Sequence, residues 1–306
     1  MSFRSFFNRY RLIGPIRRFQ GRGVMLAGLA GLCVLITWST MSEVRTISIQ
    51  ATTLGGGLTF QGQLNDWAFE KATVCRLLSQ PDFRTIDSDS EDVCARSLYE
   101  TETIEDTVIE WGSNSSIRFK GSKEGEFVIQ TLDSNTPGLP EGTLIVISPS
   151  VWAGHGALTF QGIAQLGAEI SSGSKDYLLE GSWEAHQSGF ATSFLRDVTE
   201  VVKSGSFIRG ATVDLVSDTS DVLSYGHITP VGTDEAGVKI ALLSERGPVA
   251  IRVKLYGLSK PAVFRPDWID TLSSSPMLIA LAVLFSFLLA SIQIVSIVPA
   301  RRKNEQ

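Results

Sequence analysis

The sequence predicts a membrane-anchored, mainly β extracytoplasmic domain, β-sandwich-like or α+β, flanked by two transmembrane helices. Three observations predict it. Two uncharged apolar stretches lie near the ends of the 306-residue chain. Basic residues crowd outside both stretches. Between them run short alternating apolar and polar segments, separated by Gly, Ser and Thr.

Residues 1–23 form a basic tail with Arg4, Arg9, Arg11, Arg17, Arg18 and Arg22 and no acid. The first candidate span, 24–41, carries no charge and has Trp38 near its outer end. The second, 276–298, is also uncharged and is preceded by Trp268. About 20 apolar residues cross a bilayer as a helix, because lipid offers the peptide groups no other partner. Arg301, Arg302 and Lys303 lie in the last segment, 299–306. Arginine-rich flanks stay on the cytoplasmic side, which puts both termini there and residues 42–275 in the periplasm or outside the cell. The charge balance agrees: without the tails, 18 basic face 31 acidic residues, a formal −13. A cleaved signal peptide is the alternative for the first span, but no A-x-A site follows it. The basic tails, with no eukaryotic targeting signal, point to a bacterial inner membrane.

Cys75 and Cys94 both fall in the external domain, where an oxidising compartment permits a disulfide; Cys33 lies within the first span. Strands are expected at Thr46–Ala51, Ile117–Lys120, Tyr177–Trp183 and Val249–Leu255 from their alternation, and at Leu144–Ile147 as a run covered on both faces. Two helices are expected. One follows the capping-box pattern Ser88–Glu91 and includes Val93, Leu98 and Tyr99. The other spans Ala191–Lys203, where Phe194, Leu195, Val198, Val201 and Val202 recur at helical spacing before Gly205.

The chain also echoes itself. Leu58-Thr59-Phe60-Gln61-Gly62 returns as Leu158-Thr159-Phe160-Gln161-Gly162, with Gly56 matched by Gly156 and Ile47-Ser48 by Ile147-Ser148. This suggests an internal duplication with units at 44–140 and 143–265. In the spans, Gly23, Ala27 and Gly31 recur every four residues, as do Ala282, Ser286 and Ala290. Small residues at that spacing favour helix packing in lipid, within a chain or in a homo-oligomer.

Catalytic patterns are scarce. His155, His186 and His227 form no i, i+3 or i, i+4 pair, and no HExxH, CxxC or EF-hand pattern occurs, so neither metal nor cofactor is expected. There is no GxSxG or SxxK motif and no phosphate-binding Gly loop. The acidic middle disfavours nucleic acid. Asp176, Glu180 and Glu184 near Trp183 are the one carboxylate group worth weighing for a glycoside-cleaving site. Trp152, in a turn-like Ser-Pro-Ser segment, and Trp183 are the candidate ligand contacts, with Trp67 and Trp111 as further tryptophans to place.

The leading expectation is a non-enzymatic envelope protein, a scaffold or accessory subunit binding a membrane-protein or glycan partner. In topology alone the chain resembles polysaccharide chain-length regulators, whose external parts are long helices. That resemblance implies a role in envelope polysaccharide or lipid export. A periplasmic carboxylate-dependent hydrolase is the third reading.

Overall fold

A computed structural model of the chain describes residues 45–62, 65–79, 93–95, 97–122, 125–168, 170, 176–187, 200–217, 220–232, 236–267 and 270. It also describes helical residues 28, 30, 31, 34, 279, 280, 282–287, 290 and 291. The chain divides into two compact units, one built of 44–188 and 199–270, the other of 1–43, 189–198 and 271–306.

The first unit is mainly β, and every strand pair in it is antiparallel. The strands are β1 (Arg45–Thr53), β2 (Gly55–Phe60), β3 (Asp66–Leu77), β4 (Tyr99–Glu110), β5 (Ser116–Gly121), β6 (Phe127–Asp133) and β7 (Leu144–Ile147). After one helical turn, α1 (Pro149–Trp152), come β8 (Leu158–Leu166), β9 (Leu178–Gln187), β10 (Glu200–Phe207) and β11 (Thr212–Val216). The last are β12 (Ser224–Pro230), β13 (Val238–Ser244), β14 (Ala250–Lys254) and β15 (Ala262–Phe264). Hydrogen bonding runs unbroken through all fifteen strands rather than through two separate sheets.

Alternation explains the strands. β1 buries Ile47, Ile49 and Ala51 while Ser48 and Gln50 face outward. β7 is apolar throughout because both its faces pack: Ile145 and Ile147 enter the main apolar cluster, while Leu144 and Val146 pack with Cys75 and Cys94. One apolar cluster joins the inward faces, and its largest fully buried side chains include Trp67, Phe60, Phe69, Phe119 and Phe127.

The strand order is β10-β9-β1-β13-β12-β8-β2-β5-β6-β7-β3-β4. Read outward from the β2–β8 seam, both halves follow the same plan. Each ends in a hairpin, β9–β10 or β3–β4. Next to that hairpin lies a strand from the other part of the sequence: β1 pairs with β13 and β9, while β7 pairs with β6 and β3. The two halves thus trade their leading strands. The two Leu-Thr-Phe-Gln-Gly copies meet at the seam, where Phe60 pairs with Gly162 and the Gln61 N–H donates to the Gln161 carbonyl at 2.9 Å. A Cβ on Gly162 would stand 2.2 Å from the Thr59 carbonyl oxygen, so the backbones approach where a side chain cannot fit. Gly62 serves differently, turning the chain at φ +85°.

Both helix expectations in the domain need correction. Residues 200–203 of the Ala191–Lys203 segment are strand, the start of β10, where Val201 pairs with His186; 191–199 lie outside the described residues. Three β-branched valines fit a helical stripe and a strand equally, and the β9 edge offers the hydrogen bonds that decide it. In the other segment, Val93, Cys94 and Leu98 lie in turns and Tyr99 opens β4, while Ser88–Glu91 lie outside the described residues. The cysteine expectation agrees with the structure. Cys75 and Cys94 are bonded, with Cα atoms 6.0 Å apart, in a small cluster with Leu144, Tyr99 and Val146.

Most of the two candidate spans, including Gly23, Ala27, Trp38 and Trp268, lies outside the described residues. Among the described residues, no helix is long and apolar enough to cross a membrane. Those described within the spans are helical, and Val34, Ile279, Val283, Leu284 and Phe287 hold 49–69% of their surface exposed. Among the described residues none lies within 4 Å of a Cβ built on Gly31, and the Ser286 hydroxyl donates to the Ala282 carbonyl of its own helix at 2.8 Å. Gly28 instead faces the other stretch, where its Cβ would lie 4.0 Å from the Phe285 ring. Ala282 and Ala290 are exposed.

Candidate functional site

Every tryptophan weighed for ligand contact is buried. Trp152 is 3% exposed and stacks on Phe127, ring centres 4.2 Å apart and planes 9° apart. Its turn-like segment is α1, which uses Pro149 in the first turn and plugs the core with the indole. Trp183 is 5% exposed, on the inward face of β9. Trp67 and Trp111 pack with Phe60, and the Trp67 indole donates to the Thr159 carbonyl at 2.7 Å. Trp152 and Trp183 therefore cannot be surface contacts: an indole filling a core has no free face to offer.

The hydrolytic pattern is not assembled either. Glu180 and Glu184 point outward from one strand, four residues apart, which sets their backbones about 13 Å apart. Paired glycosidase carboxyls stand about 5–9.5 Å apart. Asp176 is held by Lys120 at 2.9 Å. Ser48 Oγ lies 3.1 Å from His186 Nε2, with Glu184 3.6 Å from that same nitrogen. A Ser–His–acid relay needs the hydroxyl and the acid on opposite ring nitrogens, so this trio lacks its wiring. His155 meets the carbonyls of Gly156 and Ala68 at 2.8 and 3.0 Å, far in sequence from His186. Among the described residues no group of three or more His, Cys, Asp or Glu is placed to hold a metal ion.

What the sheet does build is an open groove of about 740 Å³ on the outward face of β10, β9, β1, β13 and β12. Antiparallel register sets its floor. Ser206 opposes Ser182, which opposes Gln50, then Ala241, then His227, and Thr159 continues the row onto β8. Small Ala241 makes the dip. On one side stand Glu180, Thr52, Lys239 and Thr229. On the other, the next row runs Ser204, Glu184, Ser48, Leu243, Tyr225 and Gln161. Within it Leu243 and Tyr225 oppose each other and are 46% and 42% exposed, with Gln161 Nε2 donating to the Tyr225 hydroxyl at 3.5 Å. An apolar platform beside hydroxyl and amide side chains suits an amphipathic ligand.

None of Gln50, His227, Tyr225 and Leu243 stands out in the linear sequence. The alternation marks each as outward-facing, but only strand order brings β12 beside β13 and β13 beside β1.

The domain begins and ends at one place. Arg45 exchanges backbone hydrogen bonds with Gly247 at 3.2 and 3.0 Å, and its guanidinium donates to the Pro266 carbonyl. Four residues after Pro266, Asp270 pairs with Lys203 at 2.9 Å. Asp270 sits below the usual carboxylate range, first because the Asp267 N–H donates to it and then because Lys203 does.

Among known proteins, no family model matches the chain and no solved structure does. A stretch of 72 residues is 38% identical to the transcription elongation factor GreA of Pasteurella multocida, covering 23% of this chain and 44% of that protein. The chain thus spans less than half the length of that relative.

Proposed function

We propose that this chain is a two-span protein of a bacterial inner membrane that works without catalysis, as a scaffold or accessory subunit. Both termini are cytoplasmic, and residues 42–275 lie in the periplasm, where the groove meets a partner. The observation that carries this is the union of the two ends of the β domain. The Arg45 guanidinium donates to the Pro266 carbonyl, so the first strand and the last described segment of the domain meet, as a domain anchored at both ends requires. Exposed apolar side chains on the helical residues of both candidate spans support it, since water would not favour them and lipid would. The groove starts five residues along β1 from Arg45, about 17 Å away along the strand.

The Tyr225–Leu243 platform favours an accessory role in envelope polysaccharide or lipid export as a second reading. Hydrolysis has no assembled carboxyl pair behind it. The partial likeness to an elongation factor carries no reading of its own, since less than half of that protein is matched.

Reporter fusions at each terminus and mild-detergent purification test the proposal. Both termini should report cytoplasm, and a second envelope protein or glycan should come with the full chain. Termini on opposite faces, or release of the chain from membranes by alkaline washing, would overturn it.

A further inference from the structure

We infer that the groove takes a linear, uncharged glycan laid across the strands, an inference that rests on the anchored binding domain proposed above. The floor is a row of outward positions, Ser206, Ser182, Gln50, Ala241 and His227, which Thr159 continues beyond the groove, one from each of six adjacent strands. Neighbouring strands lie about 4.8 Å apart, so the row offers a side chain at each step over roughly 24 Å. That step is close to the length one pyranose adds to an extended sugar chain. A polypeptide added to a sheet would run along the strands and bond to an edge, not across an interior face.

Side-chain chemistry narrows the occupant further. Hydroxyl and amide groups both donate and accept, as sugar hydroxyls do, and each exchanged hydrogen bond contributes modestly. Tyr225 and Leu243 flank the row as an exposed apolar pair for the C–H face of one ring. No carboxylate, ammonium or guanidinium lies in the row itself. Of the two flanking rows, one sets Glu180 and Lys239 on either side of Thr52 and the other carries Glu184. A polyanion would need an excess of cations, which this face lacks.

The test uses the full-length chain in detergent micelles, titrated calorimetrically with cellobiose, cellohexaose and a hyaluronan hexasaccharide. Cellohexaose should bind at least about tenfold more tightly than cellobiose, because it fills the row, and hyaluronan should bind more weakly than cellohexaose. Tyr225→Ala should weaken cellohexaose about tenfold, while Tyr225→Phe, which keeps the ring, should change it less than about threefold. Unfolding midpoints of both variants show whether the fold persists. Equal affinity for the two neutral sugars, preference for hyaluronan, or no sugar binding at all overturns the inference. The anchored-domain reading would survive each of those results as long as both termini report cytoplasm.

Discussion

Replacing Cys75 and Cys94 together with alanine removes a tether whose worth follows from its loop. The bond joins residues 19 apart in sequence, between the end of β3 and the turn leading into β4. Closing a loop of that size removes chain entropy from the unfolded state equivalent to about 3 kcal/mol. Alanine is the suitable replacement because Cys75 is fully buried and Cys94 is 7% exposed, beside Leu144; a serine hydroxyl there would add an unsatisfied polar group. For a domain of this size the loss corresponds to a fall in Tm of about 6–12 °C. The assay is thermal and urea unfolding of the full chain in detergent. Emission from the buried Trp67, Trp111, Trp152 and Trp183 reports loss of the core. The wild-type chain should lose the same stability when reduced, and the alanine double variant should be indifferent to reductant. Of three cysteines in the chain, one should titrate as a thiol after denaturation without reductant. Three titrating thiols, or a midpoint unmoved by both perturbations, would refute the argument.

Trp152→Ala should cost about 3–5 kcal/mol, read as a lowered urea midpoint, because it empties the stack against Phe127; a loss of ligand binding with unchanged stability would return Trp152 to the surface. Gly56→Ala should destabilise by about 1–3 kcal/mol, since its Cβ would lie 2.5 Å from the Phe119 ring and 2.6 Å from the Gln165 carbonyl oxygen. Gly156→Ala, with none of the described residues within 4 Å of its Cβ, should stay within about 0.5 kcal/mol of wild type by the same measurement. Asp270 has its folded pKa lowered, so the stability it contributes is present above the ordinary carboxylate pKa and is lost as pH falls through the lower folded value. The Lys203–Asp270 pair is 38% and 26% exposed, so Asp270→Asn should cost no more than about 1 kcal/mol at neutral pH. Acid titrations of unfolding should then converge for the variant and the wild type once the wild-type Asp270 is protonated in both its folded and unfolded states.

Much of the β architecture was legible because alternation is a local property. Ile47, Ile49 and Ala51 face inward in β1 as their spacing says, and Leu144–Ile147 is flanked on both sides as an unbroken apolar run should be. The echo of Leu-Thr-Phe-Gln-Gly was also readable, but its purpose was not. Gly162 is required by a backbone carbonyl from the other copy, and that contact exists only once β2 and β8 lie side by side. The β10 segment was misread because valine serves both periods, and the free edge of β9 settles which one is used. Trp152 and Trp183 could be named only as candidate contacts for a related reason: the burial of an indole depends on what packs over it, which neighbouring Gly and Ser do not reveal.

By itself the sequence determined the β character of the domain, the facing of its strands, the pairing of Cys75 with Cys94 and the charge asymmetry between its middle and its ends. Each of these depends on composition or on neighbours a few residues apart. Tertiary structure alone decided that β1 and β7 trade halves, that Arg45 meets Pro266, and that Gln50 and His227 share a groove beside Tyr225 and Leu243. Those outcomes depend on which distant strands hydrogen-bond, and every peptide group offers the same donor and acceptor. The selection comes from how the buried faces fit together over the whole core, which no short stretch of sequence contains.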